Sequence, residues 1–483
     1  MSDLHEVGAR RATFDIGIQI VARILNLALG VVVTLVLVRG LGRGGFGAWS
    51  SIFAVSQIAS SFGELGLNEV AVNRAAAQPE RESSWLGALL SLRLLISLPI
   101  TLVSAVAVVL VAPDHASRLA GVLLSLTLLL GTPMALGVVF QLRVRNHISM
   151  ALLTLNSVVW GAGVIAVASL SGGIVAFAIA FLAASVLIAA LTAGIGLRLA
   201  AVTFAGAREH WRDLLRVGIG LGVAGILVTS YVRLDQVLVL EFAGAQQAGL
   251  YGAAYRLLDQ VQFIPVSVMT TLFPMIAAAY SRGEDRARRL LQTAGEYLAM
   301  ASFPILAFTI VAAAPIVDFL FGSQFAGAAP AVPVLAGAFI SISFGYLVGN
   351  MVIVLELQNR FAAFAALGLV INAVLNVLLI PRYGFLASAW ITLLTEVTVM
   401  SLSMRAVLRV LRMRPRVSRL LRTLVAAAAM GLLTWLARLA GVPLAGLAAL
   451  ALLSYLPCLF LMGVLSRGEV VAVLKKDPVG ISG

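Results

Sequence analysis

Apolar runs long enough to cross a lipid bilayer recur along this 483-residue chain. A helix needs about 20 apolar residues to span the hydrocarbon core, where its backbone amides must be satisfied internally. Fourteen such runs occur, at residues 14–38, 46–65, 85–112, 118–141, 149–170, 174–197, 214–240, 248–279, 291–320, 329–355, 361–380, 384–404, 420–440 and 444–466. Only 11% of the residues are charged, so lipid rather than water must cover the surface. The sequence therefore predicts an all-α integral membrane protein with about fourteen transmembrane helices.

Positive charges concentrate in alternate connectors. With a cytoplasmic N-terminus, 25 of the 34 Lys and Arg residues lie on the cytoplasmic side and 5 lie in outer connectors. Cytoplasmic connectors of membrane proteins carry such an excess, so we expect both termini in the cytoplasm. The same distribution accounts for the net charge of +13 and excludes nucleic acid as the expected partner.

Short motifs recur about six helices apart. Phe46-Gly47 opens the second span and Tyr251-Gly252 opens the eighth, at an offset of 205 residues. The repeat predicts six-helix bundles over residues 1–205 and 206–410, followed by residues 411–483 with two more spans and a cytoplasmic tail. Parallel repeats of this kind are common in transporters whose substrate site lies between the halves. Seven arginines in the connector at 405–422 are interpreted as topogenic charge, with a site for anionic headgroups as the alternative.

No pattern of catalytic residues is visible. The four histidines do not pair with acidic residues at metal-ligand spacing, and the single cysteine, Cys458, lies in an apolar run. The sequence contains no P-loop, no nucleophile-elbow motif and no dinucleotide-binding fingerprint in a convincing context, and the outer connectors are short. We therefore expect a transporter rather than an enzyme, with no cofactor and no metal.

Charged side chains inside the spans are the strongest functional candidates, because burying an ion in hydrocarbon is costly. An excess of arginine over carboxylate favours an anion, and the planar guanidinium suits phosphate. The candidate substrate-binding residues are Gln19, Arg23, Asn26, Arg93, Arg233, Tyr255 and Arg256, and the candidate coupling or gating residues are Asp235, Asp259 and Glu396. Structural ion pairs are the alternative, above all for Arg256 and Asp259 at i, i+3.

Two further patterns concern helix geometry. Gln19, Arg23 and Asn26 recur at i, i+4 and i+7, which predicts one polar stripe facing a wet cavity. Prolines predict kinks, at Pro133 in the fourth span, at Pro265 and Pro274 in the eighth, and at Pro304 and Pro315 in the ninth.

Several segments together resemble the polysaccharide flippases of the multidrug/oligosaccharidyl-lipid/polysaccharide exporter superfamily, in its Wzx-like branch. They are residues 38–47 (VRGLGRGGFG), 64–67 (ELGL) followed by Arg74, 233–238 (RLDQVL), 248–256 (AGLYGAAYR), 273–274 (FP) and 372–384 (NAVLNVLLIPRYG). The sequence departs from the family pattern at Glu64, where aspartate is commoner, and at residues 43–45, where an acidic or proline-rich triplet is usual.

The resemblance implies two six-helix bundles in a V, with the first and seventh helices lining a central cavity. It also implies a function, the transfer of undecaprenyl-diphosphate-linked oligosaccharide across the inner (plasma) membrane for O-antigen or exopolysaccharide synthesis. A polymerase and glycosyltransferases are expected partners, together with membrane lipids and coupling to protons or sodium. A drug/cation antiporter of the same fold and a lipid II flippase remain alternatives, and a membrane polymerase or ligase is disfavoured by the short outer connectors.

Overall fold

The computed structural model describes the backbone of residues 2–465 and the side chains of residues 26, 28–220, 222–280, 283 and 285–465. Within this part of the chain every regular element is helical. The α-helices are α1 (Ser2–Glu64), α2 (Leu67–Ala77), α3 (Glu82–Val111), α4 (His115–Leu126), α5 (Gly131–Met134), α6 (Val138–Leu142), α7 (Asn146–Ser169), α8 (Ile174–Leu199), α9 (Ala207–Val261), α10 (Phe263–Arg282), α11 (Glu284–Phe321), α12 (Ala331–Val354), α13 (Gln358–Tyr383), α14 (Phe385–Val410), α15 (Val417–Leu439) and α16 (Leu444–Leu461).

Twelve helical stretches in the described residues are long and apolar enough to cross a membrane. Two of them, Ala28–Ala77 and Gly222–Tyr280, have 50 and 59 residues, about twice the length that a bilayer needs. Each contains a glycine with non-helical backbone angles, Gly42 in the first and Gly244 in the second. Dividing the two stretches at these glycines gives fourteen spans. The prediction of an all-α membrane protein with about fourteen transmembrane helices is therefore confirmed.

The helices group into two compact units. The first unit runs up to Ala253 and includes Ala365–Ser388, and the second comprises Ala254–Phe364 and the chain from Ala389 onward. In the first unit α1 packs against α3, α4 and α7, and α8 packs against α4 and α7. In the second unit α10, α11 and α12 pack together, α15 packs on α11, and α16 packs on α15. The division at residues 205 and 410 that the sequence repeat suggests stays a prediction.

Contacts between connectors show that successive spans of the first unit alternate in direction. Arg74, after the second span, lies 2.7 Å from Asp213, before the seventh. Arg143, after the fourth span, lies 2.7 Å from Glu82, before the third. Connectors that the charge count assigns to the cytoplasm therefore meet at one end of this unit.

The segments at the opposite end of the first unit bend at two glycines. Gly42 (φ 65°, ψ 179°) and Gly244 (φ 82°, ψ 168°) adopt nearly the same backbone conformation, with φ in the left-handed region that glycine enters without a Cβ clash. Close by, Arg43 Nε donates to Gln246 Oε1 at 2.6 Å, so the two bends lie side by side. Their numbers differ by 202, so they are equivalent points of the two repeats.

A reciprocal contact follows each bend. A Cβ on Gly47 would lie 1.9 Å from the carbonyl oxygen of Ala245, and a Cβ on Gly249 would lie 1.9 Å from that of Arg43. Gly47 and Gly249, like Arg43 and Ala245, also differ by 202, so each repeat packs a glycine on the same carbonyl of the other. The structure therefore corrects the repeat register, because the counterpart of Gly47 is Gly249 and not Gly252.

Two of the predicted proline kinks coincide with breaks in the helix. The fourth span is interrupted by 3₁₀ turns at Thr127–Leu130 and Ala135–Gly137, on either side of Pro133. The eighth span breaks between Val261 and Phe263, just before Pro265, which has no N–H to donate to the preceding turn. In the ninth span, by contrast, α11 continues through both of its prolines.

Candidate substrate-binding and coupling site

The polar stripe of the first span is only partly described. Gln19 and Arg23 lie outside the residues whose side chains the structure describes. The third member, Asn26, donates from Nδ2 to Thr154 Oγ1 at 3.0 Å. This hydrogen bond joins α1 to α7 within the first unit, so at least one end of the stripe faces a neighbouring helix.

Asp235 is held deep inside the first unit with only 1% of its surface exposed. Its Oδ1 accepts the backbone N–H of Gln236 at 2.8 Å, and its Oδ2 accepts the hydroxyl of Tyr251. A buried carboxylate needs such donors, since an unsatisfied charge in an apolar interior is costly. Arg233 is half-buried two residues earlier on α9, a spacing that places the two side chains on different faces of the helix.

The network continues from Gln236 to the second span. Gln236 Nε2 donates to Ser50 Oγ at 3.0 Å and to the carbonyl of Ala248 at 3.1 Å, and its own carbonyl accepts Ser51 Oγ at 2.9 Å. All of these atoms are buried. Sequence reasoning missed this network, because serine and glutamine in a span are common and only their packing shows a link between distant helices.

Two asparagines form another buried polar group in the first unit. Asn372 and Asn376, 1% and 0% exposed, lie one turn apart on α13. Asn376 Nδ2 donates to the Asn372 carbonyl at 2.8 Å and to its Oδ1 at 3.1 Å, and Ser388 donates to Asn376 Oδ1. In the sequence this pair was noticed only as part of the family-like motif at residues 372–384. The physical signal that could have identified it is the i, i+4 spacing of two asparagines in an apolar run.

Arg93 on α3 lies in a small cavity of its own. The side chain is 7% exposed, and Nη1 donates to the carbonyl of Gly131 at 2.8 Å, where the fourth span is broken. Its Nε has no hydrogen-bond partner among the described residues. Glu64, Ser97 and Thr132 also line this cavity of about 40 Å³. An ordered water needs about 10–15 Å³ of such space, so the cavity suits a few waters rather than a diphosphate.

The second unit contains the remaining candidates. Arg256 Nη1 lies 3.9 Å from Asp259 Oδ2, so the i, i+3 pair that the sequence suggests is formed, but at a long distance. Gln262, at the break between α9 and α10, donates to Asp259 Oδ1 at 3.4 Å and accepts the hydroxyl of Tyr346 at 3.2 Å. Neither Gln262 nor Tyr346 was among the candidates predicted from the sequence. They connect the ion pair to α12 through the helix break.

Two other candidates are buried in the second unit. Tyr255 is 4% exposed and Glu396 is 7% exposed. No group of three or more His, Cys, Asp or Glu side chains suited to a metal ion occurs in the part of the chain that the structure describes.

Solved transporters have the same fold as this chain. The lipid II flippase MurJ, in an inward closed conformation, aligns with a TM-score of 0.74 over 95% of this chain and 99% of that one, at 14% sequence identity. An inward-facing multidrug resistance transporter of the MATE family, in the MOP superfamily, aligns with a TM-score of 0.64 over 82% and 98%, at 15% identity. At these identities the likeness shows the fold alone.

A relative found by sequence similarity gives more specific information than the shared fold. The probable flippase AglR of Haloferax volcanii is 25% identical over 197 residues, which are 39% of this chain and 40% of that protein. The chain thus spans about two fifths of this relative. A profile of the polysaccharide biosynthesis protein family matches residues 36–330, which contain the reciprocal glycine contact, Arg93, Asp235 and the Arg256–Asp259 pair. Because this match covers more than half of the sequence, the chain belongs to the polysaccharide biosynthesis protein family.

Proposed function

We propose that the protein is a flippase that translocates undecaprenyl-diphosphate-linked oligosaccharide across the inner membrane for O-antigen or exopolysaccharide synthesis. One observation carries the proposal, namely that a member of the polysaccharide biosynthesis family has arginines within its first, seventh and eighth spans, at Arg23, Arg233 and Arg256. Ionised residues in spans are rare and usually functional. Guanidinium groups bind phosphate oxygens in bidentate pairs, which suits a diphosphate.

The mechanism is alternating access with a cationic central cavity. Arg23, Arg233 and Arg256 bind the diphosphate or acidic sugars, and the polyprenyl tail stays in the bilayer. Gln19, Asn26 and Tyr255 contribute hydrogen bonds to the glycan. The helix break beside Gln262 gives the span that carries Arg256 a place to bend, since broken helices form the ion and substrate sites of many transporters.

Coupling to a proton or sodium gradient is assigned to Asp235, Asp259 or Glu396. Asp235 is the strongest of the three, because it is buried and accepts hydrogen bonds from two neutral donors. A polysaccharide polymerase and glycosyltransferases are the proposed partners, with both termini of the flippase in the cytoplasm.

The test replaces Arg23, Arg233 and Arg256 by alanine one at a time. Each variant is expected to lose surface polysaccharide at normal protein level, because the diphosphate loses a bidentate partner. Arg118→Ala, in an exposed outer connector, is the matched control and is expected to keep wild-type polysaccharide. Full activity of both Arg23→Ala and Arg233→Ala would rule out the cationic-cavity mechanism.

Reconstituted protein separates this function from its two alternatives. Proteoliposomes loaded with labelled undecaprenyl-diphosphate oligosaccharide, lipid II or an organic cation report which of the three crosses the bilayer. Transport of the oligosaccharide, lost in Arg233→Ala, supports the proposal. Transport of lipid II alone identifies a lipid II flippase, and exchange of the cation alone identifies a drug/cation antiporter.

A further inference from the structure

An arginine-lined groove lies at the C-terminal end of α14. It has a volume of about 980 Å³ and is lined by Met404, Arg405, Leu408, Arg409, Arg412 and Arg414, among others. None of the residues that line it is acidic. All four arginines are exposed, and they form no ion pair with a described side chain. The groove therefore presents a concentrated positive charge beside apolar side chains.

Arg412, one of the four groove arginines, has a strained backbone conformation. Arg412 has φ 47°, in the left-handed region where a helix normally ends with glycine. For a residue with a Cβ this conformation costs about 1–2 kcal/mol. The turn is closed by the Met413 N–H, which donates to the carbonyl of Leu408 at 3.0 Å. This turn places Arg412 beside the groove.

Neighbouring arginines have different partners and form a rigid frame. Arg288 Nε donates to the carbonyl of Leu411 at 2.7 Å, which fixes the turn. Arg419 lies 2.9 Å from Glu296 and donates to the carbonyl of Val464 at 2.6 Å. Arg288 and Arg419 thus hold this region in place, whereas four other arginines of the connector line the groove.

One face of α14 leads from the apolar surface to these arginines. Trp390, Leu394 and Val397 are 60%, 48% and 40% exposed and recur at i, i+4 and i+7. Ser401 and Arg405 continue the same face at i+11 and i+15. In a membrane, the apolar part of this face contacts lipid tails, and the positive part lies at headgroup level. A hydrophobic stripe that ends in arginines matches the two parts of an anionic phospholipid.

We propose that this groove is a binding site for the headgroup of an anionic glycerophospholipid in the cytoplasmic leaflet. The guanidinium groups of Arg405, Arg409, Arg412 and Arg414 bind the phosphate oxygens, and the acyl chains lie along the α14 stripe from Val397 to Trp390. Basic pockets at the cytoplasmic ends of spans bind acidic headgroups in this way. The site is separate from the proposed substrate cavity and does not depend on the transported molecule.

The experiment uses the full-length protein in a neutral detergent. Native mass spectrometry and thermal unfolding are recorded with added phosphatidylglycerol, with phosphatidylcholine, with inorganic phosphate and with undecaprenyl phosphate. Phosphatidylglycerol is expected to bind and to raise the unfolding temperature. Phosphatidylcholine, inorganic phosphate and undecaprenyl phosphate, at the same concentration, are expected to do neither. Replacing Arg405, Arg409, Arg412 and Arg414 together by glutamine should weaken phosphatidylglycerol binding by at least about tenfold, because each arginine contributes to attraction of the headgroup.

Two further variants serve as controls. Replacement of Arg198, Arg212, Arg216 and Arg360 by glutamine removes the same charge from other exposed cytoplasmic positions and should leave binding unchanged. Lysine at the four groove positions keeps the positive charge that orients the protein in the membrane. This variant should therefore insert in the correct orientation and retain most of the phosphatidylglycerol binding. Equal loss of binding in the control, or undiminished binding in the groove variant, overturns the proposal. Equal protection by inorganic phosphate, or preference for undecaprenyl phosphate, also overturns it.

Discussion

At the scale of single residues, the charged groups inside the spans differ in how they are satisfied. Asp235 accepts two hydrogen bonds from neutral donors within the first unit. Arg93 donates to a backbone carbonyl at a helix break. Arg256 has a carboxylate at 3.9 Å and is itself partly exposed. We expect coupling for Asp235, support of a broken helix for Arg93, and ligand binding for Arg256.

Asp235→Asn tests the coupling role. The variant keeps the size of the side chain but removes its charge, so transport in proteoliposomes should no longer respond to a proton or sodium gradient. Tyr251→Phe is the matched control, since it removes one hydrogen bond and leaves the carboxylate ionisable, and it should keep the gradient response. An unchanged response in Asp235→Asn would assign coupling to another carboxylate.

Arg93→Met tests whether this arginine stabilises the protein. Loss of the hydrogen bond to Gly131 should lower the free energy of unfolding by about 1–3 kcal/mol, because a buried carbonyl loses a charged donor. Thermal unfolding in detergent measures the effect, and the exposed Arg118→Met should change it little. Unchanged stability combined with lost transport would instead support direct substrate binding by Arg93.

At the scale of helices, glycine allows two bends to touch. Gly47 and Gly249 bring each repeat's backbone against a carbonyl of the other, at distances that no side chain permits. Both contacts lie within the first unit, at the end opposite the Arg74–Asp213 pair. At this end of the first unit the two bends are therefore in direct backbone contact.

Gly47→Ala should therefore be destabilising. Its Cβ would overlap a backbone carbonyl that cannot move without separating the two bends, and such overpacking costs about 1–3 kcal/mol. Gly249→Ala should act the same way, because its contact is equivalent. Gly194→Ala on α8 is the matched control. Its Cβ meets nothing within 4 Å, so alanine there should be neutral or slightly stabilising. Thermal unfolding of the three variants measures the difference, and equal midpoints would contradict it.

At the scale of the whole molecule, the spans alternate in direction, and the charge count assigns their sides. The connector contacts at Arg74 and Arg143 agree with this alternation, and Arg288 and Arg419 give the same pattern in the second unit. The assignment of the basic ends to the cytoplasm rests on the positive-inside rule.

Cysteine labelling tests that assignment. Cys458 is replaced by serine, and a cysteine is introduced either at Ala116, in a predicted outer connector, or at Ala205, in a predicted cytoplasmic one. Both positions are exposed. A membrane-impermeant maleimide should label Ala116→Cys on intact cells and Ala205→Cys only after permeabilisation. The reverse pattern would invert the topology.

The fold class and the number of spans could be predicted from the sequence, because hydrophobic length is a property of consecutive residues. The candidate arginines could also be found, since each interrupts an apolar run. Gly42 lies in one of the family-like motifs, whereas Gly244 lies in none, so the second bend was not predicted. The repeat was assigned three residues out of register, because small residues occur at several neighbouring positions.

Tertiary structure decided which groups meet. Gln236 contacts Ser50, 186 residues away, and Arg93 contacts the carbonyl of Gly131, 38 residues away. Sequence spacing does not specify such partners, because any polar residue on a buried helix face could serve. The sequence by itself thus determines which segments cross the membrane. Only the packing of its helices determines which neighbouring groups hold a buried charge.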